Sequence, residues 1–308
     1  MAAAGNSNII TRKYLDSLLI ETRYMNSSVA DQSICLWGER FDSPVMTAAL
    51  SHLDHFMFEG ATDIYASAAA KTGTLLWLGM ADDDEVERCA AKGAKMIEII
   101  KPYADRDLIY RKIRHAESIG LLAVGIDIDH PFADDGSLDI VDGYTMAPVT
   151  TKELQDLCAS TSLPLIVKGV LSVYDANEAV KAGAGGLVLS HHNNRIEYVL
   201  PPLAALPEIR SKLSRQVPLF VDGEIQTGLD VFKALTLGAT AVSIGRPLMT
   251  AIKNRKEAGM CEYLLKVRKE LAKAMSYTGC TSLGTMDPSV IHLNPHLHSG
   301  LNQYSFTL

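Results

Sequence analysis

Leu165-Ile166-Val167-Lys168, a helical stretch over residues 175–182, then Gly183 and Leu187-Val188-Leu189-Ser190 decide the fold. Two short apolar runs flank a segment whose apolar residues return every three or four positions, the rhythm of a strand–helix–strand unit in a parallel sheet. Gly183 stands where a helix end calls for a left-handed residue. The same unit recurs on both sides. Apolar runs at 45–49, 75–79, 95–99, 122–128, 219–222 and 241–244 bring the strands to eight. Segments 59–72, 84–92, 108–119 and 230–237 read as outer helices, with Gly93, Gly120 and Gly238 before the next strands. Eight βα units predict an α/β fold, a (β/α)8 TIM barrel whose active site lies at the C-terminal ends of its strands.

The chain has 308 residues, 47% hydrophobic and 21% charged, and 29 basic against 36 acidic side chains leave a net charge of −7. A barrel holds about 250 residues around one core. A single domain over 1–308 is therefore expected, with an N-terminal cap (1–41), the barrel and its final helix (42–286) and a tail (287–308). The cap carries a helix predicted over 12–24 and an extended piece over 33–37, and a C-terminal helical extension runs over 262–277.

No basic block is present, which argues against nucleic acid or an anionic membrane as partner. No apolar run approaches the ~20 residues of a membrane span. Met1 to Asn6 lacks a basic segment followed by an apolar run, so the expected location is cytoplasmic. The five scattered cysteines lack any CxxC spacing and read as reduced thiols.

At the predicted strand ends stand Thr47, Ala48, Ala49, Gly79, Glu98, Asp127 with Asp129, Lys168, Ser190 with His191 and His192, Asp222 with Gly223, and Gly245 with Arg246. This is a polar ring on an apolar scaffold. A lysine ending an apolar strand needs an anion, either a ligand or Asp127 or Asp129 across the mouth. His192 with Arg195 three residues on suits an anionic substrate that loses a proton. The glycines after the last two strands let backbone N–H groups approach a phosphate.

The segments 164–170, 189–195, 221–225 with 228–235, and 243–247 resemble, in order and spacing, the FMN-dependent α-hydroxy acid oxidase and dehydrogenase family. Further similarity lies at Asp105-Arg106-Asp107 and over 270–283. The resemblance implies that Lys168 sits beside the flavin N1 and C2 carbonyl, that His192 is the base oriented by Asp129, and that Arg195 clamps the substrate carboxylate. It also implies that Thr47, Ala48, Ala49, Gly79, Glu98, Asp127 and Ser190 line the isoalloxazine and ribityl chain. Asp222, Gly223, Glu224, Gln226, Gly245 and Arg246 would hold the ribityl and phosphate end.

The implied reaction is oxidation of a small 2-hydroxy acid, of the lactate or glycolate kind, by hydride transfer to flavin N5. The partners are the substrate, an electron acceptor that the chain does not name, and further copies of itself, a tetramer by the resemblance. The chain departs from the family pattern at Asn193 and Asn194, which replace glycines beside the active-site histidine, and at Gln226, which replaces a phosphate-binding arginine. Glu98 replaces a glutamine. The segment 129–150 is short, and no arginine occurs from Leu121 through Leu165. These departures leave two alternatives open: an FMN-dependent isomerase resembling type 2 isopentenyl diphosphate isomerase, and a flavin-binding barrel without catalysis.

No metal site is expected. His292, His296 and His298 lack a carboxylate or cysteine at diagnostic spacing. The acidic run Asp82 to Glu85 suits the first turn of a helix. Gly183 to Gly186 precedes a strand, so it is no dinucleotide fingerprint.

Overall fold

The computed structural model describes residues 5–213 and 217–294. Eight parallel strands form the central sheet: β1 (Val45–Thr47), β2 (Leu76–Leu78), β3 (Met96–Ile100), β4 (Ala123–Asp127), β5 (Leu165–Lys168), β6 (Gly186–Leu189), β7 (Leu219–Val221) and β8 (Ala241–Ile244). Each pairs with its neighbours in chain order from β2 to β8, and β8 pairs with β1. The gap between β1 and β2 is bridged by Thr47 N–H, which donates to the Leu75 carbonyl at 3.2 Å, and by a parallel bridge between Leu50 and Leu78. The sheet is thus a closed barrel, as the eight βα units predict.

Alternation along each strand sorts its residues. Met46, Trp77, Ile97, Ile99, Ala123, Ile166, Val188, Phe220 and Ala241 meet inside the barrel as one buried cluster. Their neighbours, such as Val45, Leu76, Val124 and Val167, pack outward beneath the helices in a second, larger cluster. Carried two or four residues further, the inward phase brings Ala48, Gly79, Lys101, Asp127, Lys168, Ser190, Asp222 and Gly245 to the C-terminal mouth.

The opposite end is closed by a hairpin, Ile34–Leu36 with Glu39–Phe41, turned at Trp37 (φ 47°) and Gly38 (φ 84°). Leu36 and Phe41 join the interior cluster. The N-terminal helix spans Ser7–Ser17, earlier than predicted, because Asn6 caps it by accepting from the Asn8 and Ile9 N–H groups. It stops because Leu18–Ile20 pairs antiparallel with Ile291–Leu293. The first part of the expected tail is therefore a strand, and its His292 bonds Glu21 at 2.8 Å. His296 and His298 lie outside the described residues.

The last helix, Arg246–Tyr277, is longer than predicted and breaks at Arg255 and Lys256. After β4 the chain folds back as a small hairpin, Ile140–Val141 with Tyr144–Thr145, tied to the segment after β3 by a bridge between Tyr103 and Met146. Among the described residues no helix is long and apolar enough to cross a membrane. The five cysteines are free thiols.

Candidate active site

At the mouth lies a cleft of about 830 Å3, within the roughly 300–1,000 Å3 of cofactor and ligand sites. Ala48, Ala49, Lys168, Ser190 and His192 line one part of it. Asp222, Gly223, Glu224, Gln226, Gly245 and Arg246 line the other. Asp127 and Asp129 stand behind Lys168 and His192.

Asp127 is buried, and each of its oxygens takes an ammonium group: Lys168 at 2.8 Å and Lys101 at 2.6 Å. Burial alone would raise the Asp127 pKa, but the two lysines and His192 hold it well below the usual carboxylate range. Burial likewise works against the charge on Lys168, and Asp127, Asp129 and Asp222 overcome it, so its pKa lies above the ordinary lysine value. The lysine is a fixed cation in the wall of the cleft.

His192 Nδ1 lies 2.9 Å from Asp129 Oδ1 and 3.4 Å from Lys168 Nζ. The shorter contact assigns the proton to Nδ1, donating to Asp129, and leaves Nε2 with its lone pair free. Burial would raise the Asp129 pKa, but Lys168 and His192 keep it low and the carboxylate ionised. Asp129 approaches this closely because Gly169 faces it at φ +97°, where a Cβ would fall 2.3 Å from the Asp129 Cγ.

Other expected site residues are placed elsewhere. Glu98 falls on the outer phase of β3, between the inward Ile97 and Ile99, and pairs with Lys112 beneath the helix Arg106–Ser118. It does not line the cleft, and burial pushes its carboxyl pKa up. Thr47 also points outward, accepting from Trp77 N–H at 2.8 Å. Gly79 reaches the mouth but is covered by Ser51 and Ala49, against which a Cβ would collide. Asn193 and Asn194 adopt φ of 59° and 67°, a conformation asparagine tolerates. Their side chains turn to the N-terminal helix: Asn8 Nδ2 donates to Asn193 at 3.0 Å, and Ser7 N–H donates to Asn194 at 2.5 Å.

Sequence reasoning missed Lys101. It lies beyond the predicted end of its strand, and only the structure's inward phase of Ile97 and Ile99 places it at the mouth. Also missed was His130, whose Nδ1 lies 3.0 Å from Lys101 and whose Nε2 lies 3.0 Å from Asp139. Burial, then Lys101 and Arg195, lowers the His130 pKa to about 4, so this ring is neutral at physiological pH. Arg195 is held by the loop between β4 and the hairpin after it, through Phe132 and Asp139, rather than lining the cleft. Asp127, His130 and His192 bring ligand atoms within 4.8 Å of one another, but the two ammonium groups on Asp127 oppose a cation there.

At the far end, Gly223 (φ 97°) and Glu224 (φ 57°) form a left-handed turn, and Gly245 begins the last helix without a side-chain cap. Left-handed turns and helix starts of this kind suit an anion. Arg246 lies beside them in an ion pair with Glu224.

The family model of FMN-dependent dehydrogenases matches residues 2–151 and 133–293. The chain belongs to this family. Glycolate oxidase 1 of Oryza sativa subsp. indica is 30% identical over 91% of the chain and 86% of its own length. Glycolate oxidase of Spinacia oleracea is 30% identical over 85% of the chain and 80% of its own. Among solved structures, mandelate oxidase with 3,3-difluoro-2-hydroxy-3-phenylpropionic acid superposes with a TM-score of 0.85 at 29% identity, covering 94% of this chain and 91% of that one. A mandelate oxidase mutant with a monooxide FMN adduct gives 0.82 at 28%, covering 94% and 92%. The cofactor of this FMN-dependent dehydrogenase is FMN. These relatives are oxidases and give the isomerase alternative no support.

The cleft fits FMN on its own geometry. Lys168 brings a buried ammonium to the wall of the cleft, a donor that would suit an acceptor-rich ring edge, and among the described residues the buried His191 Nε2 beside Gly223 has no partner. The uncapped helix start and Arg246 suit a phosphate, with Glu224 competing for the arginine.

Proposed function

We propose that the protein oxidises a small 2-hydroxy acid, lactate- or glycolate-like, to the 2-oxo acid. The observation that carries the reading is the His192–Asp129 pair beside the Lys168 ammonium at the lip of the cleft. His192 Nε2 takes the hydroxyl proton, and Asp129 fixes the tautomer and steadies the imidazolium that results. Bound FMN supplies the hydride acceptor. Lys168 places positive charge at the cofactor's edge, and Asp127 holds that ammonium in position. Arg195, once released from Phe132 and Asp139, binds the substrate carboxylate. Ala48, Ala49 and Ser190 line the flavin, while Asp222, Gly223, Gly245 and Arg246 hold its ribityl and phosphate end. We also read the chain as one domain, cytoplasmic and assembled as a homo-oligomer.

Anaerobic titration of the yellow protein with a panel of 2-hydroxy acids tests the proposal. Bleaching by one of them is the expected outcome. His192→Ala should stop bleaching while FMN stays bound, and Lys168→Ala should shift the flavin potential. Bleaching of both variants at the wild-type rate would refute the assignment of roles.

A further inference from the structure

Arg195 meets the loop between β4 and its hairpin through one nitrogen. Its Nη2 donates to the Phe132 carbonyl at 2.6 Å and also to the Asp139 carboxylate. A guanidinium grips a carboxylate bidentately through either the Nη1/Nη2 pair or the Nε/Nη2 pair. Both forks need Nη2, and both of its hydrogens are engaged. Neither fork is open while that loop holds.

Asp139 is firmly placed for this contact. Its Oδ1 accepts from the Ile140 N–H at 2.8 Å, and its Oδ2 meets His130 Nε2 at 3.0 Å. His130 packs edge-on against His192, with ring centroids 5.2 Å apart, so the contact lies one ring from the proposed base. Arg195 holds the Asp139 carboxyl below its usual pKa, and the competing group is a full anion at neutral pH.

We propose that Asp139 is a specificity-determining residue, an internal carboxylate that competes with the substrate's carboxylate for Arg195. The proposal rests on the reading of Arg195 as the substrate clamp. Binding an acid then exchanges one carboxylate for another on the same guanidinium, and the net gain is small. Acids bind weakly, and neutral hydroxy-carbonyl compounds lose less by comparison.

The test compares the FMN-loaded wild type with Asp139→Asn, which keeps the shape and an acceptor but removes the charge. Propionate, a carboxylate without a hydroxyl, and propionamide, its neutral counterpart, are titrated by calorimetry. The expected result is roughly three- to tenfold tighter propionate binding in the variant, ~0.7–1.4 kcal/mol, with propionamide unchanged. The KM of the 2-hydroxy acid that bleaches the protein should fall with it, while kcat stays within about twofold. Arg195→Met should weaken propionate binding in either background. Unchanged or weaker propionate binding in Asp139→Asn, with wild-type binding intact, would overturn the proposal and make Asp139 a support for Arg195. Propionate binding that Arg195→Met leaves untouched would overturn the clamp reading and the proposal together. A wild type that no 2-hydroxy acid bleaches would instead strike at the proposed activity.

Discussion

Lys101→Met would leave Asp127, with 3% of its side chain exposed, holding a single ammonium partner. Removing one partner of a buried pair costs roughly 3–5 kcal/mol when the other is stranded. Here Lys168 stays at 2.8 Å on the second oxygen, so the loss is that of one charge-assisted hydrogen bond, roughly 2–3 kcal/mol. An unfolding entropy of about 2.1 cal/mol/K per residue gives ~0.65 kcal/mol/K for a chain of this length. The expected fall in Tm is therefore about 3–5 °C at pH 7.

Acid should erase the difference. Asp127 is held well below its unfolded pKa, so its contribution is present above that pKa and is lost as pH falls through the folded value. In the variant the folded pKa lies nearer the unfolded one, and the two melting curves should converge once the carboxylate is protonated in both. Differential scanning calorimetry from pH 7 down through the carboxylate range reads this directly. The FMN-loaded variant should also bind sulfite, an anionic flavin ligand, more weakly, because the cluster has lost one positive charge. A Tm within about 1 °C of wild type, with unchanged sulfite affinity, would refute the shared-carboxylate argument.

Glu224→Gly removes the carboxylate that holds Arg246 and relaxes a φ of 57°. FMN should bind about three- to tenfold more tightly, measured by fluorescence quenching, and equal or weaker binding would mean that Glu224 assists the phosphate. Gly228→Ala would drive a Cβ to 2.3 Å from the Val267 carbonyl and 2.4 Å from the Leu271 nitrogen. The last helix must then shift, at about 1–3 kcal/mol, read as a lowered urea midpoint with an unchanged slope.

The barrel was legible because each strand announces itself as an apolar run and each helix by its three- and four-residue spacing. Lys168, Asp129 and His192 were legible for a related reason: polar residues ending apolar strands have few places to go. The phase of β3 was not legible. Its five residues are all buried, so no polar face marks which side looks inward, and Glu98 was assigned to the wrong surface while Lys101 went unnoticed. The fates of Asn193, Asn194 and Arg195 depend on partners distant in sequence, Ser7, Asn8 and Asp139. Local pattern carries no information about such contacts.

The antiparallel pairing of Leu18–Ile20 with Ile291–Leu293 bears on how the molecule is made. The helix just before Leu18 carries Asn8 to the cleft and Arg12 to the Glu224 carbonyl and Asp230. During synthesis this early segment has no strand partner until the residues that supply one emerge from the ribosome. Loop closure over so long a span comes late, so the wall of the cleft beside His192 should be among the last parts of the nascent protein to lock into place.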